Sequence, residues 1–444
     1  MRSLFVAFIF VYVPVCAQEH YWTLEECIAY AYKHNIEIKT QELSTEEKRI
    51  TVSESKWSYT PDISASNSYS LSSGRVLDPT TYDFVEQQTV GGNSSSIGAN
   101  MTIFGGLRKM YSLKRAKLDF QSSLLAVEKI RNDVRLNVTA YYLEILYAEE
   151  AVRNAEQVVA DLKIQEEKIG KKVELHKVTT ADLLQIQSQL ADAENDMFTA
   201  YNSYDIARLN LCQLLEIDDY MSFYIKIPNV IEDVCCEITH DSSAIIEAVQ
   251  SMPEVKSAHI GIDLAHHDLQ IARAAYWPTI SLSAGYGSSF SNVRTKMFQN
   301  ADGTYRYETY PFFEQYKDNA SIYVSLSINI PIFSGLSTRK NVQRHKLAIL
   351  DAKNALRKVE KQVTTTIMQA QIDAHTAWSR YLSAQKYVKY SKEALRQIER
   401  KYELGVATIT DYNAAMTAMI KAQSQLLQSK YEYMFQLKIL RYYL

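Results

Sequence analysis

Three histidines in the second half of the chain are the residues best placed by type and spacing for metal binding. His259 and His266 are seven residues apart and would share one face of a helix, and His267 follows directly. A protein zinc site normally has four ligands in recognisable spacings such as HExxH or paired CxxC. Neither spacing occurs in this chain. We therefore interpret the three histidines as solvated surface residues and predict no metal site.

The sequence also lacks motifs for nucleophilic or cofactor-dependent catalysis. No GxSxG, Walker A or GxGxxG motif is present. Cys27 and Cys212 follow no zinc or thioredoxin-like spacing, and the adjacent Cys235 and Cys236 could not pair with each other without strain. We predict that the protein has no cofactor and is not an enzyme.

Charge and composition argue against a nucleic-acid partner and favour long helices. The chain has 48 Lys and Arg against 51 Asp and Glu, a formal net charge of -3, so it has no basic excess for phosphate contacts. Gly and Pro are scarce, with 13 and 8 copies in 444 residues. The segments 107–169, 171–227, 336–404 and 406–444 contain neither. Segments of this length predict helices of the coiled-coil kind.

Apolar and small residues in these segments recur at three- and four-residue steps. From Leu356 to Tyr402 they form a heptad seam with one extra four-residue step near Ala370. The same seam appears 229 positions earlier, from Val127 to Val173. The recurrence predicts two similar helical hairpins.

The first 17 residues are typical of a secretory signal peptide. Arg2 supplies a positive charge, and an apolar run extends from Leu4 to Val15. We expect cleavage after Ala17, with acylation of Cys16 as the alternative. In either case the chain leaves the cytoplasm.

Paired motifs indicate that the mature chain is a tandem duplication. IFGGL at 103–107 corresponds to IFSGL at 332–336, an offset of 229, whereas Pro61 of PDISAS corresponds to Pro278 of PTISLS, an offset of 217. The 12-residue difference implies an insertion between Pro278 and Phe333. We expect a signal peptide at 1–17, a first repeat at 18–235 and a second repeat at 236–444. The first repeat should have strands at about 61–71 and 95–104 and helices at about 23–58, 105–173 and 178–216. The second should have strands at about 278–287 and 319–333 and helices at about 243–276, 334–403 and 408–440.

Each repeat contains two stretches in which apolar and polar residues alternate with a period of two. One face is mostly aliphatic or aromatic, and the other is almost wholly Ser, Thr, Asn and Gly. The first suits lipid and the second a water-filled lumen. A surface sheet in a soluble sandwich is the alternative, although its wet face would normally carry Lys and Glu. The apolar residues include Ile63, Ala65 and Tyr69; Ile97, Ala99 and Met101; Ile280, Leu282 and Ala284; and Ile322, Val324 and Leu326.

Four strands cannot close a barrel in a bilayer by themselves. Backbone groups in hydrocarbon must be hydrogen-bonded, so a sheet with open edges is excluded there, and barrels begin at about eight strands. We therefore expect two or more chains to combine. Residues 72–94 and 288–318 would form long outer loops. Aromatic residues just before the strands would form the inner interfacial belt: Trp57, Tyr59, Tyr276 and Trp277.

These motifs together resemble the TolC family of outer-membrane efflux proteins. The likeness rests on the opening YWTLEECIAYAYKHNIEIK, the passages YTPDISAS and YWPTISLS, the passages IFGGL and IFSGL, and the hairpin YELGVATITDYNAAMTAM, in the family's order over residues 18–444. It implies an α+β membrane protein with a tandem-repeat TolC-like fold. Four transmembrane β-strands per chain would form a trimeric 12-stranded β-barrel, continued by a long periplasmic α-helical coiled-coil barrel.

The resemblance further implies a function in export. The protein would be a homotrimer in the outer membrane of a Gram-negative bacterium, with a periplasmic extension, and would provide a gated aqueous exit duct for small molecules. Its expected partners are a periplasmic adaptor (membrane fusion) protein, an inner-membrane RND or ABC transporter and outer-membrane lipid, with no nucleic acid. The alternatives are the outer-membrane component of type I protein secretion and, from other classes, an exported structural coiled-coil protein or a secreted enzyme.

The resemblance also assigns roles to the tips of the two helical hairpins. In the second tip a Gly stands between aliphatic residues, as is common where family members contact the adaptor. The first tip has no Gly, so we expect either no adaptor contact there or a different geometry. The tip residues are Leu404, Gly405 and Val406 in the second repeat and Leu175, His176 and Lys177 in the first.

Two aspartates just past the tips are candidates for a periplasmic gate. Asp411 falls where the family places an acidic ring at the constriction, and Asp182 is its repeat equivalent, although the family's second acid, three residues on, is Ala414 here. Three copies of one carboxylate would repel each other and attract cations. The alternative is that both aspartates stabilise the first turn of the following helix.

Overall fold

The computed structural model describes residues 21–77, 84–176, 178–227 and 242–443. The expected signal peptide with Cys16, the pair Cys235 and Cys236, and Lys177 of the first tip lie outside the described residues.

The segments free of Pro form the long helices. Helices α3 (Arg108–Glu174) and α8 (Ser337–Glu403) have 67 residues each, and α4 (Thr180–Leu215) and α9 (Ile409–Tyr443) follow them with 36 and 35. At 1.5 Å per residue, a helix of that greater length extends about 100 Å. Within the described ranges, no helix combines the length and the hydrophobicity of a membrane span.

The helix expected at about 23–58 is interrupted. A two-residue strand, β1 (Tyr21–Trp22), precedes α1 (Leu24–His34), and α2 (Ile36–Trp57) follows after Asn35. The side-chain oxygen of Asn35 accepts hydrogen bonds from two amide N–H groups in the first turn of α2, at 3.0 and 3.2 Å. Asn35 therefore ends one helix and caps the next.

The helix expected at about 243–276 is also interrupted. Strand β4 (Tyr224–Ile225) pairs with β1, and two helices follow, α5 (Ser242–Ser251) and α6 (Pro253–Ala274). Pro253 has no amide N–H to donate back into α5, but its fixed φ suits the first position of a helix. The break therefore lies at the proline.

Four strands form one antiparallel sheet in the order β2-β3-β5-β8. Their bounds are β2 Asp62–Leu77, β3 Phe84–Gly105, β5 Thr279–Ser291 and β8 Ser321–Asn329.

The register of this sheet places the alternating apolar residues on one face. Ile63 lies opposite Ala99, and Ile97 and Ile322 both lie opposite Tyr286. Because these positions share the same parity along each strand, their side chains lie on the same side of the sheet.

The expected outer loops contain regular structure. Most of the segment 72–94 continues β2 and β3, because backbone pairing does not depend on apolar alternation; Ser72, for example, lies opposite Val90. The segment 288–318 contains the hairpin β6 (Thr295–Gln299) and β7 (Tyr305–Thr309) and a short helix, α7 (Phe312–Asp318).

Strand β8 is shorter than the 319–333 expected for it. It ends at Asn329, and Pro331 two residues later has no amide N–H for the ladder. The passage from Ile330 to α8 therefore lies outside the sheet.

The chain divides into two compact units, each built from both repeats. Counting only the described residues, one lies within Met1–Glu42, Ala126–Val255 and Val359–Leu444, and the other within Leu43–Leu125 and Lys256–Lys358. The sheet belongs to the second unit. The core of the first unit includes Cys27, Val138, Ile145, Leu211 and Leu215, all fully buried.

Candidate functional site

One face of the sheet carries hydroxyl groups that pair across the strands. The side-chain oxygens of Ser66 and Ser96 are 2.9 Å apart, and those of Ser68 and Ser94 are 2.8 Å apart. Uncharged groups of this kind hydrogen-bond both to each other and to water. The face is therefore suited to line an aqueous passage.

The opposite face presents large apolar side chains to the surroundings. Ile63 is 70% exposed, Ile322 78% and Val324 71% in the single chain. A continuous apolar surface of this kind is unfavourable in water and favourable against lipid. The two faces thus differ as the sequence predicts for a lipid side and a lumen side. The aromatic residues before the strands, including Trp57 and Trp277, are also exposed, as an interfacial belt requires. The belt itself stays a prediction.

Helix α7 packs on the same side of the sheet as the apolar rows, beyond their end. The hydroxyl of Ser288 donates to the carbonyl oxygen of Tyr316 at 2.6 Å, and the side-chain oxygens of Ser95 and Tyr316 are 3.0 Å apart. The ring centroids of Phe290 and Phe312 are 4.9 Å apart. This contact was missed from the sequence, where aromatic residues in a long connection indicated only a loop.

Two side-chain amides, that of Gln315 in α7 and that of Asn319 just after it, bind the end of β5. Strand β8 pairs with β5 only as far as Gly287. Beyond it, the Asn319 amide donates to the Ser289 carbonyl at 2.6 Å. The Gln315 side chain is fully buried, accepts from the Ser291 N–H and donates to the Ser291 carbonyl, both at 3.0 Å. These side chains hydrogen-bond to β5 where β8 no longer reaches.

The two hairpin tips each have a left-handed residue at the equivalent position. His176 has φ 56° and Gly405 has φ 74°, both in the left-handed region. The His176 N–H donates to Val173 O at 2.9 Å, and the Gly405 N–H donates to Tyr402 O at 3.0 Å. At the first tip, a residue with a Cβ thus takes the left-handed φ that glycine has at the second, and adaptor contact at either tip stays a prediction.

Apolar side chains project from both tips. Leu404 is 79% exposed, Val406 75% and Leu175 65%. Exposed aliphatic groups beside a tight turn provide a surface on which another protein can bury apolar area. They remain candidates for adaptor contact.

Asp182 and Asp411 each complete a capping box. The Asp411 carboxylate accepts from the Thr408 N–H at 3.0 Å and from its hydroxyl at 2.7 Å, and the Thr408 hydroxyl accepts from the Asp411 N–H at 3.1 Å. Asp182 makes the same set of bonds with Thr179. The bond from the Thr408 hydroxyl holds the pKa of Asp411 below its ordinary value. Helix capping is thus sufficient to explain both residue types.

A small core joins the two hairpins next to the tips. Ile169 and Ile186 from the first hairpin pack with Ile409 and Tyr412 from the second. The Gln165 amide donates to the Tyr412 hydroxyl at 3.0 Å, and burial raises the pKa of that phenol. The sequence did not single out this cluster, although Ile169 stands on the predicted seam.

The histidines considered for metal binding lie along α6. His259 and His266 are exposed, and the ring of His267 lies 6.0 Å from that of Tyr111. Across the described parts of the chain, no group of three or more His, Cys, Asp and Glu residues is placed to hold a metal ion.

Comparison with known proteins identifies relatives over most of the chain. The sequence profile of the outer membrane efflux protein family matches residues 28–215 and 244–444. The chain is 22% identical over 314 residues to outer membrane protein TolC of Vibrio cholerae, which covers 69% of this chain and 66% of that protein. It is 21% identical over 420 residues to outer membrane efflux protein BepC of Brucella suis, covering 92% and 82% of the two chains.

The fold has close counterparts among solved structures. A crystal structure of CusC superimposes with a TM-score of 0.79 at 15% identity, covering 94% of this chain and 90% of the other. This likeness confirms the TolC-like fold. The chain belongs to the outer membrane efflux protein family, as the resemblance of its motifs predicts.

Proposed function

We propose that three copies of this chain form a gated aqueous duct across the outer membrane and periplasm of a Gram-negative bacterium, serving as the exit channel of a tripartite efflux system for small molecules. The observation that carries the proposal is the four-stranded sheet with one hydroxyl-rich face and one exposed apolar face. Membership of an efflux family disfavours the exported coiled-coil and enzyme alternatives.

Closure of the barrel requires more than one chain, and the family resemblance implies three. Among the described strands, β2 and β8 each have a neighbour on one side only. Each unpaired backbone group in hydrocarbon costs roughly several kcal/mol, so both edges of the sheet must pair with other strands in a bilayer. Four strands from each of three chains give a 12-stranded barrel, which is within the size range of outer-membrane barrels.

The proposed partners are those that the family resemblance implies. A periplasmic adaptor would contact the exposed Leu404 and Val406, and an inner-membrane RND or ABC transporter would supply the energy. The left-handed backbone shared by His176 and Gly405 supports similar contact at the first tip.

The adaptor contact has a direct test. Leu404→Ser should reduce efflux of a dye substrate in cells, because it removes apolar area from the tip. Glu403→Ala, one residue away, should leave efflux near the wild-type level. Equal loss in both variants would contradict a specific contact at Leu404.

The duct itself is tested with purified protein in planar bilayers, together with its mass in detergent. We expect a trimer that conducts ions in small, mostly closed steps. A monomer that is stable without detergent and gives no conductance would overturn the proposal.

A pair of variants separates a gating role of Asp411 from its capping role. Asp411→Asn removes the charge, but the amide oxygen still accepts the cap hydrogen bonds. Thr408→Ala keeps the charge and removes the hydroxyl. If Asp411 forms part of the gate, Asp411→Asn should change conductance and cation selectivity more than Thr408→Ala does. If only Thr408→Ala has an effect, the gate is not at Asp411.

A further inference from the structure

The two strand-to-helix passages share one unusual conformation. Gly106 and Leu107 have φ 62° and 64°, and Gly335 and Leu336 have φ 58° and 63°. Two successive left-handed residues are rare, and a non-glycine residue there costs about 1–2 kcal/mol. Their recurrence at an offset of 229 shows that the duplication extends to backbone detail.

The surroundings of the two passages differ. A Cβ on Gly106 would lie 2.6 Å from Ala274 O and 2.8 Å from the Cβ of Trp277, so this glycine packs against the passage from α6 to β5. At Gly335, no atom of the described residues beyond its chain neighbours lies within 4 Å of the same position. Phe333 beside it is 80% exposed. The second passage is thus uncovered.

The chain also carries an uncovered equivalent of the surface that packs on Gly106. At an offset of 217, Ala274 in the α6–β5 passage corresponds to Trp57 in the α2–β2 passage. Ala274 is 4% exposed, whereas Trp57 is 68% exposed. Each chain therefore makes this contact once internally, at Gly106. It also exposes a second copy of each contacting surface, one at Gly335 and one at Trp57.

The strand pairings confirm that the two offsets hold residue by residue. In β2 and β3, Ile63 lies opposite Ala99. Shifted by 217 and 229, that pair becomes Ile280 opposite Ile328, which is the pairing seen between β5 and β8. Ser66 opposite Ser96 likewise becomes Ser283 opposite Ser325.

We propose that β8 of one chain pairs with β2 of a second copy in the register that β3 and β5 have within one chain, and that the passage at Gly335 packs on the α2–β2 passage of that copy. The proposal rests on the trimer proposed above and specifies its interface. Subtracting 217 from the β5 residue and adding 229 to the β3 residue converts the pair Gly287 and Ser96 into Ser70 opposite Ser325. The pair Tyr286 and Ile97 likewise becomes Tyr69 opposite Leu326.

This register keeps each face of the sheet uniform. Tyr69 and Leu326 lie on the apolar face, whereas Ser70 and Ser325 lie on the hydroxyl-rich face. A shift of one residue would place serines against lipid along the whole seam. Shifts of two residues preserve the faces, so an experiment must separate them from the proposed register.

Cysteine crosslinking tests the register. A Cβ at Gly287 would lie 3.5 Å from the Cβ of Ser96, and a disulfide needs about 3.5–4.5 Å. Ser70→Cys with Ser325→Cys should therefore link neighbouring chains. Within one chain these positions lie three strand spacings apart, about 14 Å, which excludes an internal disulfide.

The matched controls use the neighbouring serines. Ser325→Cys combined with Ser68→Cys or with Ser72→Cys represents the two shifted registers, and Ser96→Cys with Gly287→Cys is a positive control within one chain. On non-reducing gels of detergent-extracted trimers, we expect several-fold more covalent dimer and trimer for Ser70–Ser325 than for either shifted pair, measured against the parent protein. Trimers that crosslink best through Ser68 or Ser72 would overturn the register and leave the proposed function standing, whereas a protein that is monomeric in detergent would overturn both.

A glycine substitution tests the packing of the passage. Gly335→Ala should reduce the fraction of trimer because the new Cβ would meet the neighbouring copy, as it would meet Ala274 at Gly106. Gly303→Ala is the matched control, since Gly303 also has a positive φ, 83°, and open space around it. An equal fraction of trimer in the two variants would show that Gly335 is not packed in the assembly.

Discussion

The two hairpin tips reach one backbone conformation with different residues. The second uses Gly405 at its left-handed position and the first uses His176, yet the amides of these two residues donate equivalent hydrogen bonds, and both tips are followed by a Thr-x-x-Asp capping box. A left-handed residue with a Cβ costs about 1–2 kcal/mol, which neighbouring contacts must offset. The comparison indicates that the cap and the paired helices determine the tip, and that glycine only lowers its cost.

The two hairpins contribute different residue types to the core that joins their tips. The first hairpin supplies Ile169 and Ile186, whereas the second supplies Ile409 and the aromatic Tyr412. The repeat equivalent of Ile186 is Ala415, so the large aliphatic group is present in only one hairpin.

Truncation of this core should destabilise the tips more than any other change considered. Ile186 is fully buried, so Ile186→Ala should cost about 2–5 kcal/mol of local stability. Because the core contains residues of both hairpins, hydrogen exchange should accelerate at both tips. Leu184→Ala, at a position 65% exposed, is the control and should change exchange little. Faster exchange confined to the first tip would mean that the hairpins are energetically independent.

Removal of the caps should have equal, intermediate effects. Thr179→Ala and Thr408→Ala each remove an N-cap hydroxyl and should each destabilise their tip by about 1 kcal/mol. Hydrogen exchange in the first turns of α4 and α9 measures both. A clearly larger loss in one variant would show that the two caps are not equivalent.

Swapping the residue types at the two left-handed positions should have a smaller effect on the stability of the tips. Gly405→His should destabilise the second tip by about 1 kcal/mol, since it adds a Cβ at positive φ. His176→Gly should stabilise the first tip by less than about 1 kcal/mol, because glycine's greater freedom in the unfolded chain offsets part of the gain. Chemical denaturation followed by exchange at the tips measures both changes. Stabilisation by Gly405→His would contradict the role assigned to glycine.

The pH dependence should be the smallest effect. The pKa of Asp411 is lowered in the folded protein, so its stabilising contribution is present above the ordinary carboxyl pKa and is lost as the pH falls through the lowered value. Protection of the first turn of α9 should therefore be constant from neutral pH to about pH 5 and fall below about pH 4. Asp411→Asn should remove this dependence. Loss of protection between pH 7 and pH 5 would require a different titrating group.

The sequence predicts those features that depend on side-chain periodicity. The runs without proline become α3, α4, α8 and α9, and the alternating residues become one sheet with two distinct faces. Features that depend on the backbone in its three-dimensional context are not predicted. The extension of β2 and β3 through Ser- and Gly-rich segments needs only main-chain hydrogen bonds, and the left-handed His176 is imposed by the hairpin rather than by its residue type.

The candidate site divides in the same way. The capping role of Asp182 and Asp411 follows from their position three residues after a threonine, a local signal. The core around Tyr412 and the docking of α7 join segments that are distant in the chain, so a single sequence gives no local signal for them.

The amides of Gln315 and Asn319 have a consequence for how the protein behaves at the cell surface. An uncovered stretch of strand attracts β-structure from other proteins, and this one would lie at the rim of the pore. Because the two side chains already hydrogen-bond the main-chain groups of Ser289 and Ser291, that rim offers little for a foreign strand to bind. Copies of the protein crowded in one outer membrane would then not join edge to edge through this stretch of strand.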